Sequence, residues 1–165
     1  MAKKFSFSFP IAYPINDVHA ALVSPELWQR RVEGAENVTM TTESTQPGTL
    51  KIAVTQHIGG DSLPAIARKA LRGDLTIVRV DNWGALNGGS AEAEFTADST
   101  GLTSHTSGRV VIQAEGETTT YTVEGETDVK ARVIGGALEK GIVQMISNLA
   151  KSECADTEKW IASKI

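Results

Sequence analysis

The sequence predicts an α+β fold: one N-terminal strand, two short helices, a run of antiparallel strands and one long closing helix. Three observations carry it. Apolar residues alternate with period two at residues 5–9 and again through most of the stretch after Asn37. Two helix-start signals, at Pro14–Asp17 and Ser24–Glu26, stand between those regions. From Ile134 to Trp160 apolar residues recur at helical spacing.

Phe5-Ser6-Phe7-Ser8-Phe9 alternates strictly and reads as a half-buried strand ended by Pro10. Asn16 is the expected cap of a first helix carrying Val18, Ala21 and Leu22 and ending near Val23. Ser24-Pro25-Glu26 opens a second, with Leu27, Trp28, Arg31 and Val32 before Gly34 stops it. Val38, Met40 and Thr42 then share one strand face, and Leu50, Ile52, Val54 and Gln56 the next, joined by a turn at Gln46-Pro47-Gly48-Thr49. The Ala-rich segment from Leu63-Pro64 to Leu71 is expected as a short inserted helix. Leu75–Trp83 reads as a strand, Gly84–Gly89 as a turn and Ala91–Ala97 as a strand, with Asp98–Ser104 turning. Arg109–Glu115 and Thr118–Arg132 form a further hairpin, giving about seven strands.

Composition narrows the class. With 165 residues, 41% apolar and 22% charged, one folded domain over residues 1–165 is expected. A formal net charge of -4, with Lys3-Lys4 and Arg30-Arg31 only as pairs, argues against a nucleic-acid partner. A lone cysteine, Cys154, rules out an internal disulfide and any multi-cysteine zinc site and suits a reducing compartment. The apolar runs fall short of the roughly 18 residues a membrane span needs, and the N-terminus lacks a signal-peptide core, so no membrane insertion and a cytoplasmic location are expected.

Asp17-Val18-His19-Ala20-Ala21-Leu22 with Trp28, Leu63-Pro64, Asp74-Leu75-Thr76-Ile77-Val78-Arg79 and Val133-Ile134-Gly135-Gly136-Ala137-Leu138-Glu139-Lys140 carry a resemblance over nearly the whole chain. The chain resembles the START-like, or SRPBCC, superfamily, which includes START lipid-transfer domains, the birch pollen allergen and polyketide cyclases. More narrowly, it looks like an uncharacterised actinobacterial branch. The resemblance implies a helix-grip fold, in which a curved antiparallel sheet wraps the long terminal helix around a hydrophobic cavity. It carries over no catalytic residue.

The strand faces turned toward that helix would hold Met40, Ile52, Val54, Ala93, Phe95, Ile112, Tyr121 and Val123, with many Ala and Gly positions among their neighbours. Small residues on a concave face leave either room for a ligand or a close helix contact. Room is expected, so Ala93→Phe should be tolerated and should abolish binding of a hydrophobic probe; a core packed there would instead make it cost roughly 1–3 kcal/mol.

On a wheel of about 100° per residue, Glu153 and Asp156 fall in line with Leu138, Ile142, Met145, Leu149 and Trp160. Two carboxylates on an inner stripe would be anchoring or acid–base groups, with Arg79, which shares a strand face with Trp83, as partner. Alternatively, the helix has run past the sheet and they are solvated or pair with Arg30 or Arg31. His19, His57 and His105 show no close-spaced ligand pattern, so no metal or other cofactor is expected, and His57 should face solvent. Cys154 reads as a structural thiol and the Gly-Gly pairs mainly as turns.

The expected ligand-binding set is therefore Met40, Ile52, Val54, Arg79, Trp83, Ala93, Phe95, Ile112, Tyr121, Val123, Met145, Leu149, Glu153 and Asp156, around a small hydrophobic or amphipathic molecule that is a lipid, a sterol or polyketide-like. A cyclase or dehydratase centred on Glu153 or Asp156 with Arg79, and a protein-interaction module with an exposed apolar patch, are the alternatives.

Overall fold

The structure, a computed structural model, describes residues 2–59, 61, 63, 65–71, 73–131 and 134–165. Gly60, Pro64, Arg132 and Val133, which figured in the expected turn, inserted helix, last strand and terminal motif, lie outside them.

In chain order the elements are β1 (Lys3–Ile11), α1 (Ile15–Leu22), α2 (Pro25–Val32), β2 (Val38–Glu43), β3 (Leu50–Ile58), α3 (Ala65–Ala70), β4 (Leu75–Trp83), β5 (Ser90–Thr100), β6 (Ser104–Glu115), β7 (Thr118–Val129) and α4 (Gly135–Lys164). The strands form one antiparallel sheet in the order β1-β7-β6-β5-β4-β3-β2. This is the α+β helix-grip arrangement.

Several boundaries move for identifiable reasons. Pro10 does not end β1 but lies within it opposite Thr120. An edge strand tolerates proline because only one of its sides needs donors, and β1 is an edge. The cap of α1 is Pro14, whose carbonyl accepts from the amides of Asp17 and Val18, so Asn16 sits inside the helix. The expected long turn at Asp98–Ser104 shrinks to residues 101–103, because β5 and β6 stay paired through Asp98↔His105 and Ser99↔Ser104. Gly101, at φ +90°, makes that tight reversal possible.

Register fixes the concave face. Across neighbouring strands, Ile52 stands opposite Asp81, Asp81 opposite Phe95, Phe95 opposite Gly108, Gly108 opposite Gly125 and Gly125 opposite Phe5. At the Gly108–Gly125 crossing the two strands come so close that a methyl group on either glycine would run into the other strand's backbone, and the Phe5 ring lies over Gly125. A glycine crease flanked by aromatic rings is a common device for bending a sheet.

The 30 residues of α4 span about 45 Å. The helix packs on β1 and β7 along one side, with α1 and α2 beside it. Its opposite side looks across a hollow toward β2 and β3, so the sheet curls around it. Among the described residues the buried apolar side chains fall into two clusters. The larger joins Val18 and Leu22 of α1, Leu27 and Trp28 of α2, the middle of the sheet, and Ala150, Cys154, Trp160 and Ile161 of α4. The smaller gathers Ala67, Leu75, Leu102, Val129 and Leu138 at the far end. Glu139, in the first turns of α4, accepts from the Val129 amide at 3.0 Å and fastens the end of β7 to the helix. No helix is long and apolar enough to cross a membrane among the described residues.

Candidate functional site

Between the two clusters lies a cavity of about 590 Å³. Its walls come from Trp28, Arg31 and Val32 of α2, Met40 of β2, Val54 of β3, Ile77 and Arg79 of β4, Ala97 of β5, Thr106 of β6, and the N-terminal half of α4 through Leu138, Ile142, Met145 and Leu149. Leu63, Ala67 and Leu102 close the far end. The size and apolar lining suit an organic molecule of moderate size.

The position of the hollow follows from what fills the rest of the concave face. Trp83, Phe95, Ile112 and Tyr121 are bulky and buried in the larger cluster, together with side chains of α1 and the C-terminal half of α4. Toward residues 137–149 the helix carries Ala137 and Gly141, and the facing sheet offers Ala97, Ser99, Ser104 and Thr106. Small side chains face small side chains there, and space remains.

Of the residues singled out from sequence, Met40, Val54, Arg79, Met145 and Leu149 line the cavity. Ile52, Trp83, Ala93, Phe95, Ile112 and Val123 instead belong to the packed larger cluster. For Ala93 this reverses the expectation of room. It is 0% exposed, so Ala93→Phe should cost roughly 1–3 kcal/mol, read as a fall in the urea midpoint. Met145 and Leu149 are 49% and 44% exposed while lining the hollow, which places them at its mouth.

The polar residues converge behind the cavity wall. Glu153 is buried; its Oε2 accepts from the Tyr121 hydroxyl at 3.0 Å and lies 3.7 Å from Arg79 Nη2 and 3.6 Å from Arg31 Nη1. Arg79 is held by Asp81 through two bonds, Nε to Oδ1 at 2.8 Å and Nη2 to Oδ2 at 2.7 Å. Arg31 reaches Asp156 from Nε at 3.3 Å and lies over the Trp28 ring, while Arg30 lies over Trp160. Burial opposes the charge of Arg79, but Asp81 and Glu153 outweigh it and hold the guanidinium above its ordinary pKa. Burial first, and then the Glu153 carboxylate, push the Tyr121 hydroxyl well above the usual phenol value. Tyr121 is therefore a donor to Glu153 at any ordinary pH.

Sequence reasoning underrated two contributors. Asp81 shares the strand face of Arg79 two residues on, the spacing at which strand neighbours meet. Arg31 appeared only as a possible surface partner, because a short helix gives no hint of what it covers. The histidines stay apart: His19 bonds the Gly84 carbonyl at 2.9 Å, exposed His57 meets Thr76, and His105 pairs with Asp98.

Cys154 is buried, and burial, helped by Glu153 and Glu158, pushes its thiol up to about 12. It should resist a thiol-specific disulfide reagent in the native protein and react at once in denaturant, a contrast that colorimetric titration checks.

The sequence model of the family described as "Protein of unknown function (DUF2505)" matches residues 6–161. The chain belongs to the DUF2505 family. One relative, an uncharacterised protein of Mycobacterium tuberculosis, is 25% identical over 174 residues covering all of both chains. Among solved structures, this DUF2505 chain is similar to a Thermus thermophilus protein, with a TM-score of 0.64 at 12% identity over 98% of this chain and 99% of that one. It is also similar to a START superfamily protein from Mycobacterium smegmatis, with a TM-score of 0.57 at 13% identity over 98% and 99%. An aromatase/cyclase from a Streptomyces species gives 0.52 at 10% identity over 99% and 93%. At these identities the likeness establishes the START-like fold of this DUF2505 member and nothing about its ligand.

Proposed function

We propose that this DUF2505 protein, acting as one START-like domain over residues 1–165 in the cytoplasm, binds a small hydrophobic or amphipathic molecule in the hollow between sheet and α4. A lipid, a sterol or a polyketide-like compound fits the description. The observation that carries the reading is a cavity of about 590 Å³ set between two packed clusters, with exposed Met145 and Leu149 at its mouth. A fold that only needed to be stable would gain from closing such a space. The START superfamily and aromatase/cyclase neighbours are consistent with small organic ligands.

Binding is favoured over a cyclase-like reaction by where the carboxylates sit. Glu153 is engaged by Tyr121 and faces two arginines, Asp81 is engaged by Arg79, and Asp156 lies beside Arg31. Each is committed to the network that holds the wall.

Native mass spectrometry of freshly purified protein is the direct test, with Ala97→Phe as its control. Ala97 lines the cavity, so a ring there should fill space at a cost below about 1 kcal/mol, unlike the same change at Ala93. The wild type is expected to carry a small molecule or to take up Nile red, and Ala97→Phe to lose at least about tenfold in Nile red affinity, or roughly 1.4 kcal/mol. A bare wild type that takes up no dye overturns the reading.

A further inference from the structure

Resting on the cavity's role as a ligand site, we infer that Arg79 is its recognition residue, and that it selects a molecule carrying a neutral hydrogen-bond acceptor, a carbonyl or ether oxygen, on an otherwise apolar body. Arg79 lies on the concave face, lines the hollow and keeps 30% of its side-chain surface accessible. A guanidinium has five N–H donors; Asp81 takes two and Nη2 also faces Glu153 at 3.7 Å, which leaves the two of Nη1.

Apart from Gln56 of β3, which is exposed, the other neutral and acidic polar groups of the lining are already engaged. Ser99 donates to the Leu102 carbonyl and pairs with Ser104, Thr106 pairs with Thr127, and Asp98 pairs with His105. Arg31 contributes less, because its Nη1 is sealed from the cavity against Glu153.

The charge count decides which acceptor fits. Two guanidiniums, Arg31 and Arg79, stand against three carboxylates, Asp81, Glu153 and Asp156. Leaving out half-exposed Asp156, the buried group is neutral; counting it, the group is negative. Arg79 therefore offers donors with no net positive charge behind them. A ligand carboxylate would enter beside Asp81 and Glu153 and pay for desolvation without compensation. A neutral oxygen would gain the same hydrogen bonds at much lower cost. The apolar body would then run from Arg79 past Ile77 and Ile142 toward Leu138.

Three near-isosteres separate the possibilities: acetylnaphthalene, naphthoate and ethylnaphthalene, titrated calorimetrically into the wild-type protein. Acetylnaphthalene should bind at least about tenfold more tightly than each of the others, the order of effect expected of one charge-assisted hydrogen bond. In Arg79→Met/Asp81→Leu, which removes both halves of the ion pair and leaves no orphaned carboxylate, ketone and hydrocarbon should converge to within about twofold. Naphthoate binding tightest to the wild type would overturn the inference in favour of an anion site. Equal wild-type affinity for ketone and hydrocarbon would overturn it while leaving the cavity a ligand site. Failure of all three to bind would overturn the ligand-site reading itself, and this inference with it. Because the wild-type series alone decides the acceptor, the test holds even if the double variant folds poorly.

Discussion

Glu153→Ala should lower stability by about 3–5 kcal/mol, one of the two largest effects expected of any single substitution here. The carboxylate is 3% exposed and serves three groups: it accepts from Tyr121 and faces the guanidiniums of Arg31 and Arg79. Removing it strands a buried phenol and leaves Arg31 with Asp156 alone. For a domain of this size the midpoint of thermal unfolding should fall by roughly 10 °C. Glu153→Gln is the informative comparison, because the amide oxygen can still accept from Tyr121 while the charge is gone. It should fall between wild type and Glu153→Ala in urea melts. A loss below about 1 kcal/mol for Glu153→Ala would mean the network is wet and the burial of Glu153 is not realised in solution.

Gly125→Ala should be at least as damaging, with a loss of about 3 kcal/mol or more or a failure to fold. The added methyl group would meet the Ser107 carbonyl and the Gly108 backbone on the neighbouring strand and press on the Phe5 ring. Backbone atoms of β6 and β7, each paired on both sides, cannot step aside as a side chain could. The contrast is Gly136→Ala in the first turn of α4, where an added Cβ meets nothing and the helix gains by roughly 0.5–1 kcal/mol. Equilibrium unfolding of the two variants side by side separates a steric role for Gly125 from a general preference for glycine.

The alternation of side chains told which face of each strand would turn inward, and every inward position follows that parity. Arg79 and Trp83 share a face in the sequence pattern and in the register. What alternation cannot tell is how far along a strand the space lies. Phe95 and Ala97 are two residues apart on one face, yet one is packed in the larger cluster and the other borders the hollow. That difference is made by tertiary packing, of which the docking of α1 on β6, β7 and α4 is a part, and no local pattern encodes it. The helical wheel aligned Glu153 with Leu149, but not their opposite fates. Leu149 is left at the mouth and Glu153 is sealed beneath Tyr121, because the α4 surroundings change within one turn. Pro10 misled for a related reason: its effect on a strand depends on whether a neighbour needs its missing donor, and edge position is a property of the assembled sheet.

The division of the interior into two clusters with space between them bears on how such a chain can diverge. The crease at Gly108–Gly125 and the knot around Glu153 hold the fold, and of their residues Arg31 and Arg79 alone reach the cavity wall, while Ala97, Ala137 and Gly141 shape the wall and hold little else. Substitutions of the second kind resize or reshape the hollow at small cost in stability. Foldability and cavity shape are thus written on largely separate residues, with Arg79 shared between the network and the wall, leaving a lineage free to try occupants of new shape while its scaffold stands still.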